Sequence, residues 1–309
     1  MSMVTIVMTT YNGEKYVGEQ IESILSSSYK DVELFIYDDG SKDDTLSILR
    51  KYESLSPDII HVFQNEVNLG VNTNFLRAIC KTTTEYVMLC DQDDVWKPNK
   101  IAITLKRMRN MEVQIGKEIP LAVFTDAIVV DSELKVLKNS FFEAGHLNPN
   151  KIDLSHLLME NKLIGCTVMV NSALRKVLQG HNLPKEAKFH DWWIALIASS
   201  FGRIGYVNES TLLYRQHGGN VVGNTGFLSY FKNRITSLRT QKDSLLALQH
   251  QAEEFINIYG DFIPKENKLT IDRFANLQKV NFIKRRRDIL KYGYLKTGLI
   301  RNIGLMFIV

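Results

Sequence analysis

Three cysteines, no run of eighteen apolar residues and no internal repeat or low-complexity segment occur in the 309-residue chain, and each shortage narrows what it can be. Cys80, Cys90 and Cys166 are scattered without metal-ligand spacing, and two of them sit in apolar stretches. They read as small core residues of a protein kept in a reducing compartment. No stretch is long and apolar enough to span a bilayer, and no signal peptide precedes the first strand. Net charge is also small, +4, but unevenly placed: residues 1–224 hold 23 Lys+Arg against 27 Asp+Glu, whereas residues 225–309 hold 15 against 7. A slightly acidic body therefore carries a basic tail, suited to lipid headgroups or nucleic acid. The composition is otherwise that of a globular chain, 45% hydrophobic and 23% charged, with length for one large domain or one and a half.

The stretch that organises what is present runs from Tyr86 to Pro98. Tyr86 to Cys90 is too short for a helix and right for a buried central strand, and it leads directly into Asp91, Asp93 and Asp94. Three carboxylates at the end of a hydrophobic strand repel one another unless something positive sits among them. Oxygen ligands favour a hard divalent ion, Mg²⁺ or Mn²⁺. The alternative is an acidic helix start, with Asp94 near the N-cap and Pro98 opening the next helix.

Around this stretch, strand and helix alternate. Strands are expected at 3–8, 32–37, 59–63 and 86–90, with helices at about 14–27, 43–52 and 72–80. Such alternation implies a parallel, doubly wound α/β sheet whose ligands sit beyond the carboxyl ends of the strands. The polar clusters 9–12, 38–41, 68–70 and 91–94 follow strand ends and should converge on one crevice. In the second half, 121–130 reads as a strand or strand pair interrupted at Thr125-Asp126, and 164–170 as a strand followed by a helix from Ser172. A helix runs from His190 to about Ser200 with Asp191 near its cap, and 203–207 and 211–214 read as two short strands. Beyond Gly226 the pattern is helical.

Six motifs in this order, Thr9-Thr10-Tyr11-Asn12-Gly13, Asp38-Asp39-Gly40-Ser41, Asn68-Leu69-Gly70, Asp91-Gln92-Asp93-Asp94-Val95-Trp96, His190-Asp191-Trp192-Trp193 and Tyr214-Arg215-Gln216-His217, resemble those of family 2 glycosyltransferases over about residues 1–222. The Gln92 variant, the His-Asp-Trp-Trp helix start and the Tyr-Arg-Gln-His end resemble in particular bacterial rhamnosyltransferases of cell-wall, capsular or O-antigen polysaccharides. The resemblance implies a GT-A nucleotide-sugar transferase fold, a Rossmann-like, mostly parallel sheet flanked by helices, with a C-terminal helical extension. It divides the chain into a catalytic domain, 1–224, and a basic helical extension, 225–309. The domain comprises a nucleotide-binding half, 1–100, and an acceptor-binding half, 101–224.

It also implies roles. Thr9, Tyr11, Asp39, Asn68, Gly70, Asp91 and Asp93 would contact the nucleotide-sugar, with Tyr11 stacking on the base and Asp39 accepting from the pyrimidine N3–H. Asp38 reads as the structural aspartate of that turn. Asp93, Asp94 and His217 would hold the Mg²⁺ or Mn²⁺ that bridges the diphosphate. Asp191 would be the general base of an inverting transfer. Most members of the family carry Glu-Asp where this chain has His190-Asp191, so the first carboxylate is missing. Trp192 and Trp193 would form an acceptor-sugar platform, and Asp126 would touch donor or acceptor sugar; each has a packing alternative.

The activity implied is metal-dependent inverting transfer of L-rhamnose from dTDP-L-rhamnose to a lipid-linked glycan, with a UDP-hexose or UDP-N-acetylhexosamine donor as the alternative. Lys284-Arg285-Arg286-Arg287 followed by aromatic and aliphatic residues fits a monotopic interfacial helix, placing the protein in the cytoplasm against the inner face of the membrane through 284–309. The alternative is a helix packed on the body or on a second subunit of a homodimer. A non-enzymatic reading, a nucleotide- or nucleic-acid-binding protein using the basic tail, needs neither Asp191 nor a metal. A nucleic-acid partner is disfavoured because no recognition motif accompanies the basic residues.

Overall fold

The computed structural model describes residues 3–217 and 238–309; the expected domain boundary at 224/225 and Gly218-Gly219 lie outside the described residues. The first hundred residues form β1 (Val4–Thr10), α1 (Val17–Leu25), β2 (Val32–Asp38), α2 (Thr45–Leu55), β3 (Ile60–Gln64), α3 (Val71–Lys81) and β4 (Tyr86–Cys90). β1 lies between β2 and β4, with Val4 in register with both Val32 and Tyr86, and all pairings are parallel. Every residue of β1 and β4 is buried, which is why β4 reads as an apolar run and β1 as a β-branched and apolar one broken by threonine.

After β4 come β5 (Val95–Trp96), α4 (Lys100–Ile115), β6 (Leu121–Val130), β7 (Val136–Lys138), α5 (Phe141–Ala144), α6 (Leu154–Met159), β8 (Met169–Asn171), α7 (Ser172–Gln179), α8 (His190–Phe201) and β9 (Arg203–Arg215). Among the described residues the strands form one nine-stranded sheet in the order β3-β2-β1-β4-β8-β6-β9-β5, with β7 on β6. β8 is antiparallel to both β4 and β6, while β9 is parallel to β6. The sheet is therefore mixed beyond β4, yet β1, β2, β3, β4, β6 and β9 all point the same way. Their carboxyl ends share one edge.

Three local expectations are corrected. Residues 164–170 do not form a continuous strand: Gly165–Thr167 is a 3-10 turn, and pairing starts at Met169. A Cβ on Gly165 would lie 2.9 Å from His190 Nε2, so the turn is pressed against the start of α8, and Thr167 Oγ1 donates to the Ile164 carbonyl at 2.8 Å. The two short strands at 203–207 and 211–214 are one strand, β9. Its pairing with β6 jumps from Thr125↔Val207 to Asp126↔Ser210, so the polar residues Asn208 and Glu209 are a bulge and not a break. Finally, Asp94 does not cap a helix; Val95 and Trp96 pair antiparallel with Leu213 and Leu212, and α4 starts only at Lys100.

The extension contains α9 (Leu238–Tyr259), α10 (Lys265–Ala275), α11 (Phe282–Tyr292) and α12 (Leu299–Ile308). The single interfacial helix expected at 284–309 is thus two helices. Gly293, left-handed at φ 73°, ends α11, and Gly298 at φ 90° precedes α12. Between them Tyr294 turns inward and donates from its hydroxyl to the Thr270 carbonyl at 2.6 Å. The extension packs on α8 through Trp193, which is 0% exposed, with Phe255 at 5.0 Å and Tyr259 at 6.1 Å between ring centroids. Replacing Trp193 with alanine is expected to destabilise the protein by about 3–5 kcal/mol, read as a shift in the guanidinium unfolding midpoint. A wild-type midpoint would contradict this packing.

Candidate active site

Each parallel strand delivers a polar loop to the shared edge. After β1, Tyr11 keeps 48% of its surface exposed, while its backbone is held by a side chain from the acidic loop: Gln92 Oε1 accepts from the Tyr11 amide at 2.9 Å and Gln92 Nε2 donates to the Tyr11 carbonyl at 3.2 Å. This two-way bond presses Gln92 against Gly13, where a Cβ would lie 2.2 Å from Gln92 Oε1. Asn12 adopts φ 49° and its Oδ1 accepts from the Lys42 amide, joining the loops after β1 and β2. Thr9, almost buried, sits opposite Tyr37.

After β2, Asp38 plays the structural part expected of it, accepting from Thr10 Oγ1 at 3.0 Å and from the amides of Gly40 and Ser41. Asp39 faces the loop after β3. Its Oδ1 accepts from Asn65 Nδ2 and from the Leu69 amide, each at 2.8 Å, and its Oδ2 from the Gly70 amide at 2.9 Å. Asn68 Nδ2 donates to the Asp39 carbonyl at 3.0 Å. The carboxylate assigned to a pyrimidine N–H thus also holds Asn68 and Gly70 in place, and Gly70 needs its φ of 74° to turn there.

The three acidic residues after β4 separate. Asp93 Oδ2 lies 2.8 Å from His217 Nε2, and the His217 ring packs on Tyr16 at 4.7 Å between centroids. Asp94 is 0% exposed; its Oδ1 accepts from the Arg215 amide at 3.1 Å, and a carboxylate oxygen clusters with Asp91 and the Cys166 sulfur within 4.8 Å. Burial, together with the Asp93 charge, pushes the Asp94 carboxyl up to about 7. Asp91 is pushed well above the usual carboxylate range by burial and by the charges of Asp94, Asp93 and Asp191. Of the three expected metal ligands, the structure brings Asp93 and His217 together and turns Asp94 inward, away from the open edge. Burial also raises the Cys166 thiol, with the neighbouring Asp94 and Asp91 charges adding to it.

Arg215, whose role the motif alone did not reveal, ties this region down. Its Nε donates to the Asp93 carbonyl at 2.8 Å and its Nη1 to the Ser132 carbonyl at 2.7 Å, while Nη2 pairs with Glu19. The guanidinium lies 4.5 Å from the Tyr16 ring centre. Beneath the loop, Lys100 is fully buried, with Nζ 4.7 Å from the Trp96 ring centre. Burial lowers it to about 8.

Helix α8 precedes β9 and runs back against it, so its first turn arrives at the same edge. Phe189 is the capping residue and Asp191 lies in the first turn. Asn72 fixes this end from α3: its Oδ1 accepts from the His190 amide and its Nδ2 donates to the Ala187 carbonyl, both at 2.9 Å. Asp191 Oδ1 accepts from Asn161 Nδ2 at 3.0 Å. Burial raises Asp191 to about 7, with the amides of Trp192 and Gly165 and the Asn161 side chain opposing it. His190, in place of the missing first carboxylate, is buried and stacked on Phe75 at 4.0 Å; burial pushes it down to about 3, so the imidazole is neutral at neutral pH.

Two expected sugar contacts do not reach this edge. Trp193 is enclosed by Phe255 and Tyr259, and Trp192 is 6% exposed with its Nε1 donating to the Leu157 carbonyl at 2.5 Å. Neither ring presents a face to a sugar, because α8 is apolar nearly all round and buried on every side. Asp126 accepts from the amides of Ala127 and Phe141 and lines a separate cavity of about 650 Å³ with Glu143, Tyr206, Asn208 and Ser210. Gln92, Asn72, Asn161 and Arg215 were the functional neighbours that sequence reasoning missed. Gln92 and Arg215 lay within recognised motifs, whereas Asn72 and Asn161 carried no local signal.

Residues 5–117, which hold β1 to β4 and the acidic loop, match the model of "Glycosyl transferase family 2". The chain is 28% identical over 306 residues to the dTDP-rhamnosyl transferase RfbG of Shigella flexneri, covering 96% of this chain and 100% of that one. It is 27% identical over 223 residues to TuaG of Bacillus subtilis, a putative teichuronic acid biosynthesis glycosyltransferase, covering 72% and 82%. Among solved structures, S. aureus TarS 1-349 in complex with UDP-GlcNAc superposes with a TM-score of 0.58 at 17% identity, over 94% of this chain and 79% of that one. The mannosyltransferase PcManGT of Pyrobaculum calidifontis, in complex with GDP-Man and Mn²⁺, gives 0.56 at 16%, over 98% and 78%. The loops at the carboxyl edge of β1 to β4 are thus the matched segment, the mixed sheet is that of the GT-A fold, and over residues 5–117 the chain is similar to the family 2 glycosyltransferases.

Proposed function

We propose that this protein is an inverting transferase that moves L-rhamnose from dTDP-L-rhamnose to a lipid-linked cell-wall, capsular or O-antigen glycan precursor. The observation that carries the chemistry is Asp191: a half-buried carboxylate at the start of α8, raised to about 7, oriented by Asn161 and facing the acidic loop. Its carboxylate takes the proton of an acceptor hydroxyl as that oxygen bonds to the anomeric carbon, and the nucleoside diphosphate leaves from the opposite face. The rhamnosyl donor is supported by the 28% identity to RfbG along nearly the whole chain.

Asp93 and His217 are the residues that would hold a divalent cation, and carboxylate with imidazole suits Mn²⁺ better than Mg²⁺. Such an ion supplies neutralisation of charge on the departing diphosphate. Exposed Tyr11 is available to stack on the base, with Asp39, Asn68 and Gly70 shaping the adjoining wall. Asp91 and Thr9 line the same edge. Asp126 and its cavity are the remaining candidate for a sugar contact.

The extension is proposed to rest on an anionic membrane. Phe282, Ile283, Leu290, Leu299, Ile300, Ile303 and Phe307 are exposed on α11 and α12. Residues 279–301 carry eight Lys and Arg against the single acid Asp288. Each cation near an anionic surface adds about 1 kcal/mol of attraction. Among the described residues no helix is long and apolar enough to cross a membrane, so contact would be along one face.

Calorimetric titration with dTDP and with UDP, each with Mn²⁺ and with EDTA, tests donor and metal together. Metal-dependent binding that favours dTDP is expected, and Asp93→Ala should remove the metal-dependent increment. Preference for UDP would exchange the sugar for a UDP-hexose or UDP-N-acetylhexosamine and keep the mechanism. For Asp191→Asn, transfer should fall by about 10²–10⁴-fold with dTDP affinity unchanged. Because the carboxylate is the active form, the wild-type kcat should fall as pH drops through about 7, and a flat profile from pH 5 to 8 would remove Asp191 as base. Ile283→Glu with Ile300→Glu should abolish co-sedimentation with phosphatidylglycerol vesicles while leaving the buried anchors Leu305 and Ile308 intact. Undiminished pelleting would exclude this face, and loss of a gel-filtration dimer instead would make a second copy its occupant.

A further inference from the structure

The segment between α6 and the 3-10 turn carries Glu160, Asn161 and Lys162 in succession, and the three side chains go to different places. Glu160 and Lys162 are buried and paired with each other, and both reach the extension. Glu160 Oε2 accepts from the Thr297 amide at 2.9 Å, Glu160 Oε1 pairs with Arg301 Nη2, and Lys162 Nζ donates to Thr297 Oγ1 at 2.7 Å. Burial alone would raise the Glu160 carboxyl, but the Lys162 and Arg301 charges overcome it and hold it down at about 2. Asn161 points the other way. Its Nδ2 donates to Asp191 Oδ1 and to the Leu163 carbonyl, and its Oδ1 accepts from the Leu163 amide, all at 3.0 Å.

We propose that the C-terminal extension positions the base: the ion cluster of Glu160, Lys162 and Arg301, closed by Thr297, sets the backbone from which Asn161 orients Asp191. This rests on the reading of Asp191 as general base. The physical argument is adjacency. The residues on either side of Asn161 are fixed by charges taken out of water, which tolerate displacement poorly, so the backbone at 161 has little freedom unless the cluster breaks. Asn161 is caught between that anchored backbone and Leu163 and has one Nδ2 hydrogen left for Asp191. Thr297 and Arg301 lie immediately before and within α12, the helix that shows Leu299, Ile300, Ile303 and Phe307 to solvent. Whatever seats that outer face bears on the same cluster. Asn161 is a positioning residue in this scheme; it touches neither donor nor acceptor.

The test uses the full-length protein and three variants: Asn161→Ala, Arg301→Met and Arg301→Lys. Asn161→Ala should lower kcat about ten- to a hundredfold, the cost of a base misplaced by a fraction of an ångström to an ångström, with the donor KM and dTDP affinity unchanged. Because the amide donates to the carboxylate and favours its charged form, the acid limb of the kcat profile should also move to higher pH. The other ionisable groups facing Asp191, namely Asp91 and the neutral His190, are the same in every variant. Arg301→Met should reproduce both effects more weakly, and Arg301→Lys should restore them toward wild type. The second readout does not need transfer: the carboxyl ¹³C shift of Asp191, assigned by its loss in Asp191→Asn, followed against pH.

A wild-type kcat and carboxyl titration in Asn161→Ala would overturn the role of Asn161. Effects in Asn161→Ala with none in Arg301→Met would overturn the link to the extension. If Arg301→Met does not fold, Thr297→Val takes its place under the same criteria: it removes the hydroxyl's contacts to Lys162 Nζ and to the Asn148 amide and keeps the Thr297 amide on Glu160. Full transfer by Asp191→Asn would instead defeat the reading of Asp191 as base, and the carboxyl titration would still report whether the extension moves it.

Discussion

The geometry of the site depends on how the fold tolerates three carboxylates at the end of a fully buried strand. Arg215 is the central constraint. Its amide takes Asp94, and its guanidinium takes the carbonyls of Asp93 and Ser132. Hydrogen bonds from a buried cation are worth about 1.5–3 kcal/mol each, and removing one member of such a set leaves the others unpaired in a dry environment. The contact to Glu19 adds less, since that side chain is half in solvent and screened. Lys100 supplies a second positive charge from below. With Asp94 turned inward and spent on this scaffold, Asp93 is left to meet His217 at the open edge.

Asp191, the proposed base, is placed by a different set of contacts. Helix α8 is mostly apolar beyond its first turn, so it is driven into the core, and its polar first turn is the part that must find partners. Asn72 of α3 takes the His190 amide, Phe75 covers the His190 ring, and Gly165 leaves room for both. Asp191 then sits where burial raises its proton affinity while three donors keep it oriented. A carboxyl near 7 is matched to accepting a proton at neutral pH, and the neutral imidazole beside it adds no charge of its own.

The extension is part of this arrangement and not an appendage. It fills the back of α8 through Phe255 and Tyr259 around Trp193, and it reaches the Asp191 side through Thr297 and Arg301. On its outer side the same pair of helices carries exposed aliphatic and aromatic residues among cations. Under the proposed function, an acceptor carried on a lipid and a base tied to the outer helices would belong together, because both would require the open edge to be held at a defined place near the bilayer surface.

Much of this was legible in the chain. Parallel strands covered on both faces must be apolar runs that end in turn residues, which is why β1 to β4 and the polar clusters at their ends could be read directly, Tyr86–Cys90 to the residue. The errors came where local pattern carries no direction. A buried 3-10 turn at Gly165–Thr167 has the composition of a buried strand, and the bulge at Asn208 and Glu209 has that of a loop. The sequence by itself determined the order of strands and helices from β1 to β4, the polar loops at their carboxyl ends and the basic character of the tail, since periodicity and turn chemistry are local. Only the tertiary structure decided which carboxylate turns inward, that both tryptophans are packed, and that Asn161 meets Asp191 thirty positions away while Lys162 meets Thr297 at 135. Such contacts are chosen by packing between distant segments, and no spacing along the chain encodes them.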